Sequence, residues 1–190
     1  MRKVQRAALA GGLVLVIAPL FAACARDPLE FSGQYKPTSF ASHRTNPAEA
    51  EACRVRITDI RDERSAGDAM GEVGGRQIHA DAVGWIRSGF KTLDRDPRIK
   101  LVDGPPADLD MSVEVLKAYA SSLLDSKSAN VVVRIRFQKA GVDSEQVYRG
   151  TDHGLDWAAG SGEAEASLNS ALESMLNIVM GDIDARCAAK

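Results

Sequence analysis

The sequence predicts an α+β fold: a two-layer sandwich with one mixed, mostly antiparallel sheet of about five strands and two helices packed on one face. Three observations predict it. Apolar and polar residues alternate over 54–58, 108–119 and 131–137, the period of a half-buried strand, and a further strand follows over 144–151. Over 76–93 and 162–185 the apolar residues recur instead at helical spacing. Short turns join the later strands, as hairpins require. The expected element order is βαββββα.

The chain opens with Arg2, Lys3 and Arg6, followed by an apolar run over 7–20 and by Leu20-Phe21-Ala22-Ala23-Cys24. A charged start, a short apolar core and a small-residue cleavage site make a secretory signal peptide. A cysteine directly after two small residues is similar to a bacterial lipobox, in which cleavage precedes a cysteine that takes diacylglycerol. Residues 1–23 are therefore read as the leader and Cys24 as the lipidation site. The apolar run is shorter than the about 20 residues of a membrane span and is interrupted by Gly11, Gly12 and Pro19. Cleavage after Ala25, which would give plain secretion, is the alternative. Ala25 in place of Asp points, by resemblance to the sorting rule of enteric bacteria, to the outer membrane.

Removing 23 of the 190 residues leaves 167, about one domain. Three of the 24 basic residues go and none of the 26 acidic ones, so 21 bases face 26 acids and the net charge falls from −2 to −5. That excludes a basic nucleic-acid footprint and leaves membrane affinity to the acyl chains. Cys53 and Cys187 remain, an even pair suited to a disulfide in an oxidising compartment. Two free thiols are the alternative.

Residues 24–52 read as a lipidated N-terminus and flexible tether, with Pro28, Pro37 and Pro47 among polar residues. Phe31, Tyr35 and Phe40 are spaced through it, either as a docking motif or packed on the domain. The single domain is expected over 53–190. Residues 54–58 form its first strand, and Gly67, Gly71, Gly74 and Gly75 mark a loop. This loop lacks the spacing of a phosphate-binding motif. In the helix over 76–93, Ile78, Ala82, Trp85, Ile86, Gly89 and Leu93 form one stripe, which makes Trp85 a core residue. Residues 98–102 form a second strand, so strand, helix and strand make a parallel crossover. Leu109, Met111, Val113 and Val115 share one face of the next strand. A polar loop over 121–128 leads to Val131, Val133, Ile135 and Phe137, and the turn at 140–143 leads to the last strand. The final helix has Ser161 as its N-cap, and Cys187 continues its apolar stripe of Leu168, Leu172, Met175, Val179 and Ile183.

Chemistry-bearing residues are sparse. Arg54, Arg56, Arg134, Arg136 and Arg149 lie on the polar face beside Asp108, Asp110 and Glu114, either as cross-strand ion pairs or as a charged docking surface. Arg54, Arg56, Arg134 and Arg136 are the candidate partner-binding residues. His43, His79 and His153 are scattered; His79-Ala80-Asp81 and Asp152-His153 lack further ligands at metal-site spacing. No serine sits in a nucleophile elbow, and Asp94/Asp96 and Asp152/Asp156 fall where caps and turns use acids. No catalytic residue, cofactor or metal is expected.

The lipobox, Val55-Arg56-Ile57-Thr58-Asp59-Ile60-Arg61, the Gly-containing loop and amphipathic helix, Ala107-Asp108-Leu109, Val131-Val132-Val133 and the C-terminal helix together resemble YajG-type bacterial lipoproteins. The resemblance covers most of 53–185. It implies an outer-membrane lipoprotein, and of its functional positions only Cys24 carries over. The strand and helix order also resembles small accessory lipoproteins of transport or secretion machines. The expected function is a non-catalytic, lipid-anchored envelope protein facing the periplasm, an accessory or adaptor whose partner is another envelope protein. A lipid- or glycan-binding module is the alternative, and a periplasmic hydrolase the third.

Overall fold

Residues 27–37, 52–65, 69–123, 126–155 and 160–188 are described by a computed structural model. The leader, Cys24, residues 38–51 of the expected tether, Asp156 and Trp157 lie outside them. In chain order the elements are β1 (Leu29–Glu30), β2 (Cys53–Asp62), β3 (Gly71–Val73), β4 (Arg76–His79), α1 (Ala82–Phe90), a 3-10 turn (Lys91–Arg95), β5 (Ile99–Leu101), β6 (Leu109–Leu123), β7 (Ser126–Lys139), β8 (Val142–Leu155) and α2 (Ser161–Ala188).

The mixed sheet with two helices matches the expected class, but eight strands are found among the described residues, in place of about five. The long ladders β6–β7 and β7–β8 are antiparallel, whereas β2 runs parallel to both β5 and β6. One edge of β6 pairs with β7. Its other edge pairs with β2 from Leu109 to Val115 and then with β3 at Ala120 and Ser121. A register shift between Val115 and Lys117 accompanies that change of partner. Leu109, Met111, Val113 and Val115 point to the core before it, and Ala118 and Ala120 after it. A bulge of this kind flips the alternation by one residue.

Three strands depart from the sequence expectation. Residues 76–79 form β4 rather than the first turn of a helix. Gly74 and Gly75, at φ 60° and 73°, close a two-residue hairpin that pairs Val73 with Arg76. The helix starts only at Ala82, where the Asp81 carboxylate accepts from the Gly84 amide at 2.9 Å. Ile78 is buried from a strand as it would have been from a helix, so its spacing does not separate the two. The glycine loop thus becomes β3 and a turn, with Gly67 outside the described residues.

The third added strand, β1, lies in the stretch read as tether. Leu29 pairs with Ile78 and is buried. Phe31 meets Trp85 edge-to-face with ring centroids 5.8 Å apart. Tyr35 is buried, and its amide donates to Ser88 Oγ at 2.9 Å. Burial pushes the Tyr35 phenol upward, with the Glu173 carboxylate adding to the effect. Residues 27–37 therefore belong to the folded unit. Aromatic and aliphatic side chains spaced among prolines bury well without regular periodicity, which hides them from pattern reading.

Both helices cover one face of the sheet. α1 packs on β2 and β6, α2 packs on β6, β7 and β8, and the helices touch each other. Trp85 is fully buried, as its stripe position predicts, and its Nε1 donates to Asn169 Oδ1 of α2 at 2.9 Å. A buried indole N–H is thereby satisfied. α2 begins at Ser161 itself, with the Ala164 amide bonded to the Gly160 carbonyl, so Ser161 is a helical residue rather than the cap. Cys187 is joined to Cys53 by the expected disulfide, with Cα atoms 6.1 Å apart. The bridge ties the start of β2 to the end of α2.

A Cβ at Gly150 of β8 would lie 1.9 Å from the Ala171 carbonyl of α2. Gly150→Ala should therefore destabilise by about 1–3 kcal/mol in urea unfolding, whereas Gly104→Ala, with nothing near its Cβ, should be close to neutral. Cys187→Ser should lower the unfolding free energy by about 4–5 kcal/mol on the loop-closure model for a separation of 134 residues. A loss below 1 kcal/mol in the same assay would show that the bridge adds little constraint to the unfolded chain.

Candidate functional site

The face of the sheet opposite the helices carries the four candidate arginines, and strand register decides whom each one meets. β2 and β6 run parallel with Arg56 beside Asp110. Arg56 Nε and Nη2 donate to the two Asp110 oxygens at 2.8 and 2.6 Å. Arg54 makes the same two-pronged contact with Asp108, through Nη2 at 2.8 Å and Nε at 3.2 Å, and its amide adds a third bond at 2.8 Å. On the antiparallel side Glu114 stands opposite Arg134, and Arg136 opposite Glu145. Arg134 Nη1 donates to Glu114 at 2.8 Å, and its Nε approaches Glu145 at 3.3 Å. Arg136 reaches Glu145 at 3.2 Å. Arg61 joins the row through Glu114 at 3.6 Å.

The structure thus brings Arg54, Arg56, Arg134 and Arg136 together, and it gives each a carboxylate. The result is an alternating ladder of charge running across β2, β6, β7 and β8, not a basic patch. The guanidinium bonds of Arg54 hold the Asp108 carboxyl down at about 2. The bond that Arg56 donates to Asp110 raises the Arg56 pKa, and the bond that Arg134 donates to Glu114 raises that of Arg134. Exposed ladders of this kind fix register and orientation more than they add stability. Arg149, also on this face, is exposed and makes no ion pair among the described residues.

Of the scattered histidines and acids, His79, Asp81, Asp94 and Asp96 have local partners, while Asp152 and His153 lie in β8 rather than in a loop, and His43 and Asp156 fall outside the described residues. His79 Nε2 contacts Gln77 Oε1 at 3.1 Å, while Asp81 caps α1. Asp94 accepts from the Leu101 amide at 3.0 Å, and Asp96 holds Arg98, which also reaches Asp184 at 2.6 Å. No group of three or more metal-ligating side chains occurs among the described residues.

Two features carried no sequence signal. The Tyr148 hydroxyl of β8 donates to Asp182 of α2, and Arg186 reaches Asp182 at 3.0 Å and Ser144 at 2.7 Å. Arg186 also lies over the Phe137 ring at 4.0 Å. Burial, then the Asp182 bond, pushes the Tyr148 phenol upward. The second feature is an open groove of 410 Å³ beside the β6 bulge, lined by Arg64, Glu72, Gln77, Leu116, Lys117 and Tyr119. The Arg64 side chain is 9 % exposed and pairs with Asp62 at 2.7 Å. Only the hydrophobic spacing around these residues is visible in one dimension, so their convergence is not.

No protein-family model matches the chain, and no curated protein matches it. Among solved structures, a hypothetical protein from Chlamydia trachomatis superposes with a TM-score of 0.53 at 10 % identity, over 74 % of this chain and 100 % of that one. A Xanthomonas campestris protein of the DUF330 family gives 0.49 at 11 % identity, over 74 % and 93 %. The lipoprotein GNA1162 of Neisseria meningitidis gives 0.40 at 7 % identity, over 70 % and 99 %. At these identities the likeness to the Chlamydia protein is one of fold.

The ladder has a pH signature. Because Asp108 titrates at about 2 in the fold, below its usual value, its pairing stabilises the protein above pH 4 and is lost as pH falls from about 4 to 2. Asp108→Asn should flatten that part of the stability curve in acid-unfolding measurements. An unchanged acid limb would show that the Arg54–Asp108 pair is not coupled to folding.

Proposed function

We propose that this chain is a lipid-anchored, non-catalytic adaptor of the bacterial envelope, akin to the YajG-type lipoproteins. Cys24 holds it in the outer membrane, the domain faces the periplasm, and the partner is another envelope protein. The observation that carries the reading is a leader-like segment that ends in Ala22-Ala23 directly before Cys24. Two others support it. The Cys53–Cys187 bridge suits an oxidising compartment. The alternating ladder of Arg54, Arg56, Arg134 and Arg136 with Asp108, Asp110, Glu114 and Glu145 offers a partner a pattern of charge rather than a uniform field. Patterns of that kind set specificity and association rate more than affinity.

The test is to crosslink the full chain in intact cells, isolate it from the envelope and measure both its mass and its companions. The expected result is an N-terminus at Cys24 carrying acyl groups, together with a reproducible envelope protein. Cys24→Ser should abolish membrane retention. A mature chain starting at Arg26 without lipid would overturn the anchor. Recovery of the lipidated chain alone would overturn the adaptor role.

A further inference from the structure

We propose that the free edge of β8 is a docking surface for a second copy of this chain, which pairs with it antiparallel about a twofold axis at Val147. β8 spans Val142–Leu155 and pairs with β7 along its whole length, with no bulge between them. Its other edge meets no strand among the described residues. The two-residue turn Ala140-Gly141 sets the phase of the hairpin. With Lys139 opposite Val142 as the first hydrogen-bonded pair, the even-numbered residues bond to β7. The odd-numbered ones, from Asp143 to Leu155, aim their amides and carbonyls outward. Long edges of this kind are normally blunted by charged side chains, proline or a bulge; β8 has no proline and no bulge, and the charges on its outer face, Asp143, Glu145 and Arg149, are of both signs. Val147, instead, is 53 % exposed.

Charge favours this occupant and narrows its register. The ladder on this face alternates from Arg61 through Glu114 to Arg134 and Arg136, and it ends at the edge on Glu145. The next strand along would continue the pattern with a cation opposite Glu145. β8 itself carries that cation: Arg149, exposed and without an ion pair among the described residues. Antiparallel pairing centred on Val147 sets Glu145 of each copy opposite Arg149 of the other, Asp143 opposite Thr151, and Val147 opposite Val147. Registers centred on Glu145 or on Arg149 would set like charges face to face, which is destabilising.

The helical layer is compatible with this arrangement. α2 lies over β7 and β8, with Met175 beside Gly150 and Asp182 bonded to Tyr148. Ile178, 51 % exposed, falls between those two residues on the β8 side of the helix. Strand spacing of about 4.8 Å would bring the two copies of α2 to a separation of about 10 Å, the usual distance of packed helices. Ile178 would then lie against its counterpart. The symmetry closes at two, and a self-complementary patch is what a twofold interface requires. The surface rests on the strand edge alone and is independent of the lipid anchor.

Sedimentation of the full chain, purified in mild detergent, tests the pairing. Wild type should dimerise at micromolar concentration. Arg149→Glu and Glu145→Arg should each raise the dimer dissociation constant at least about tenfold. An equimolar mixture of the two variants should recover dimers, because each then meets its opposite charge. In producing cells, a short bismaleimide should link Val147→Cys into a species of twice the monomer mass and leave Thr151→Cys at the wild-type background. A monomeric wild type, a mixture that stays monomeric, or a Val147→Cys adduct to a different protein would each overturn the assignment.

Discussion

The change of partner along one edge of β6 is the constraint on which the rest of the fold depends. β6 holds β7 along its whole length on one side and must serve β2 and then β3 on the other. Two parallel partners in succession require the first to leave before the second arrives. The bulge between Val115 and Lys117 marks that point. It also shifts the inward-facing set from Val113 and Val115 to Ala118 and Ala120, so both halves of one strand face the same helices. Without it, every side chain beyond Val115 would point to the wrong face. The groove lined by Arg64, Lys117 and Tyr119 opens where the two partners part.

The helical layer answers this strand with few but specific polar contacts. Trp85 and Asn169 join α1 to α2 through one buried hydrogen bond. Tyr148, Asp182 and Arg186 join α2 to β8. Gly150 lets the helix approach the strand closely enough that a methyl group would meet the Ala171 carbonyl. Apolar burial supplies most of the driving force in such a layer, and the polar pairs select one arrangement of it.

The strands that alternate large apolar residues with polar ones were legible in the sequence: Val55, Leu109 to Val115 and Val131 to Phe137 all lie where their period places them. So were the burial of Trp85 and the bridge between Cys53 and Cys187. Legibility failed where signals were short or weak. The ends of β6 and β7 read as a polar loop over 121–128 because residues such as Ser121 and Ser128 carry little hydropathy, although these serines bond across the strands at 3.1 Å beside the buried Ala120 and Ala129. β3 and β4 are too short for periodicity, and Leu29, Phe31 and Tyr35 pack from a segment without any. For the charged face, the arginines and Asp108, Asp110 and Glu114 were visible in one dimension, but neither Glu145 nor the pairing was, because pairing is set by register between distant strands.

The anchoring of residues 27–37 has a consequence for where the protein stands. Arg76 Nε donates to the Asp27 carbonyl at 2.7 Å, and Nη2 to that of Pro28 at 3.3 Å. Ala25 and Arg26 are all that separates Asp27 from Cys24. With lipid on Cys24, the link to the bilayer reaches roughly 10 Å at full extension. The domain would then ride directly on the headgroups, with the β1–β4 corner as its foot. β6 would rise from that corner, and the Cys53–Cys187 bridge, at the far end of the strand, would mark the summit roughly 35 Å away. A protein seated this way presents a fixed profile to the space above it and sweeps out almost none of it.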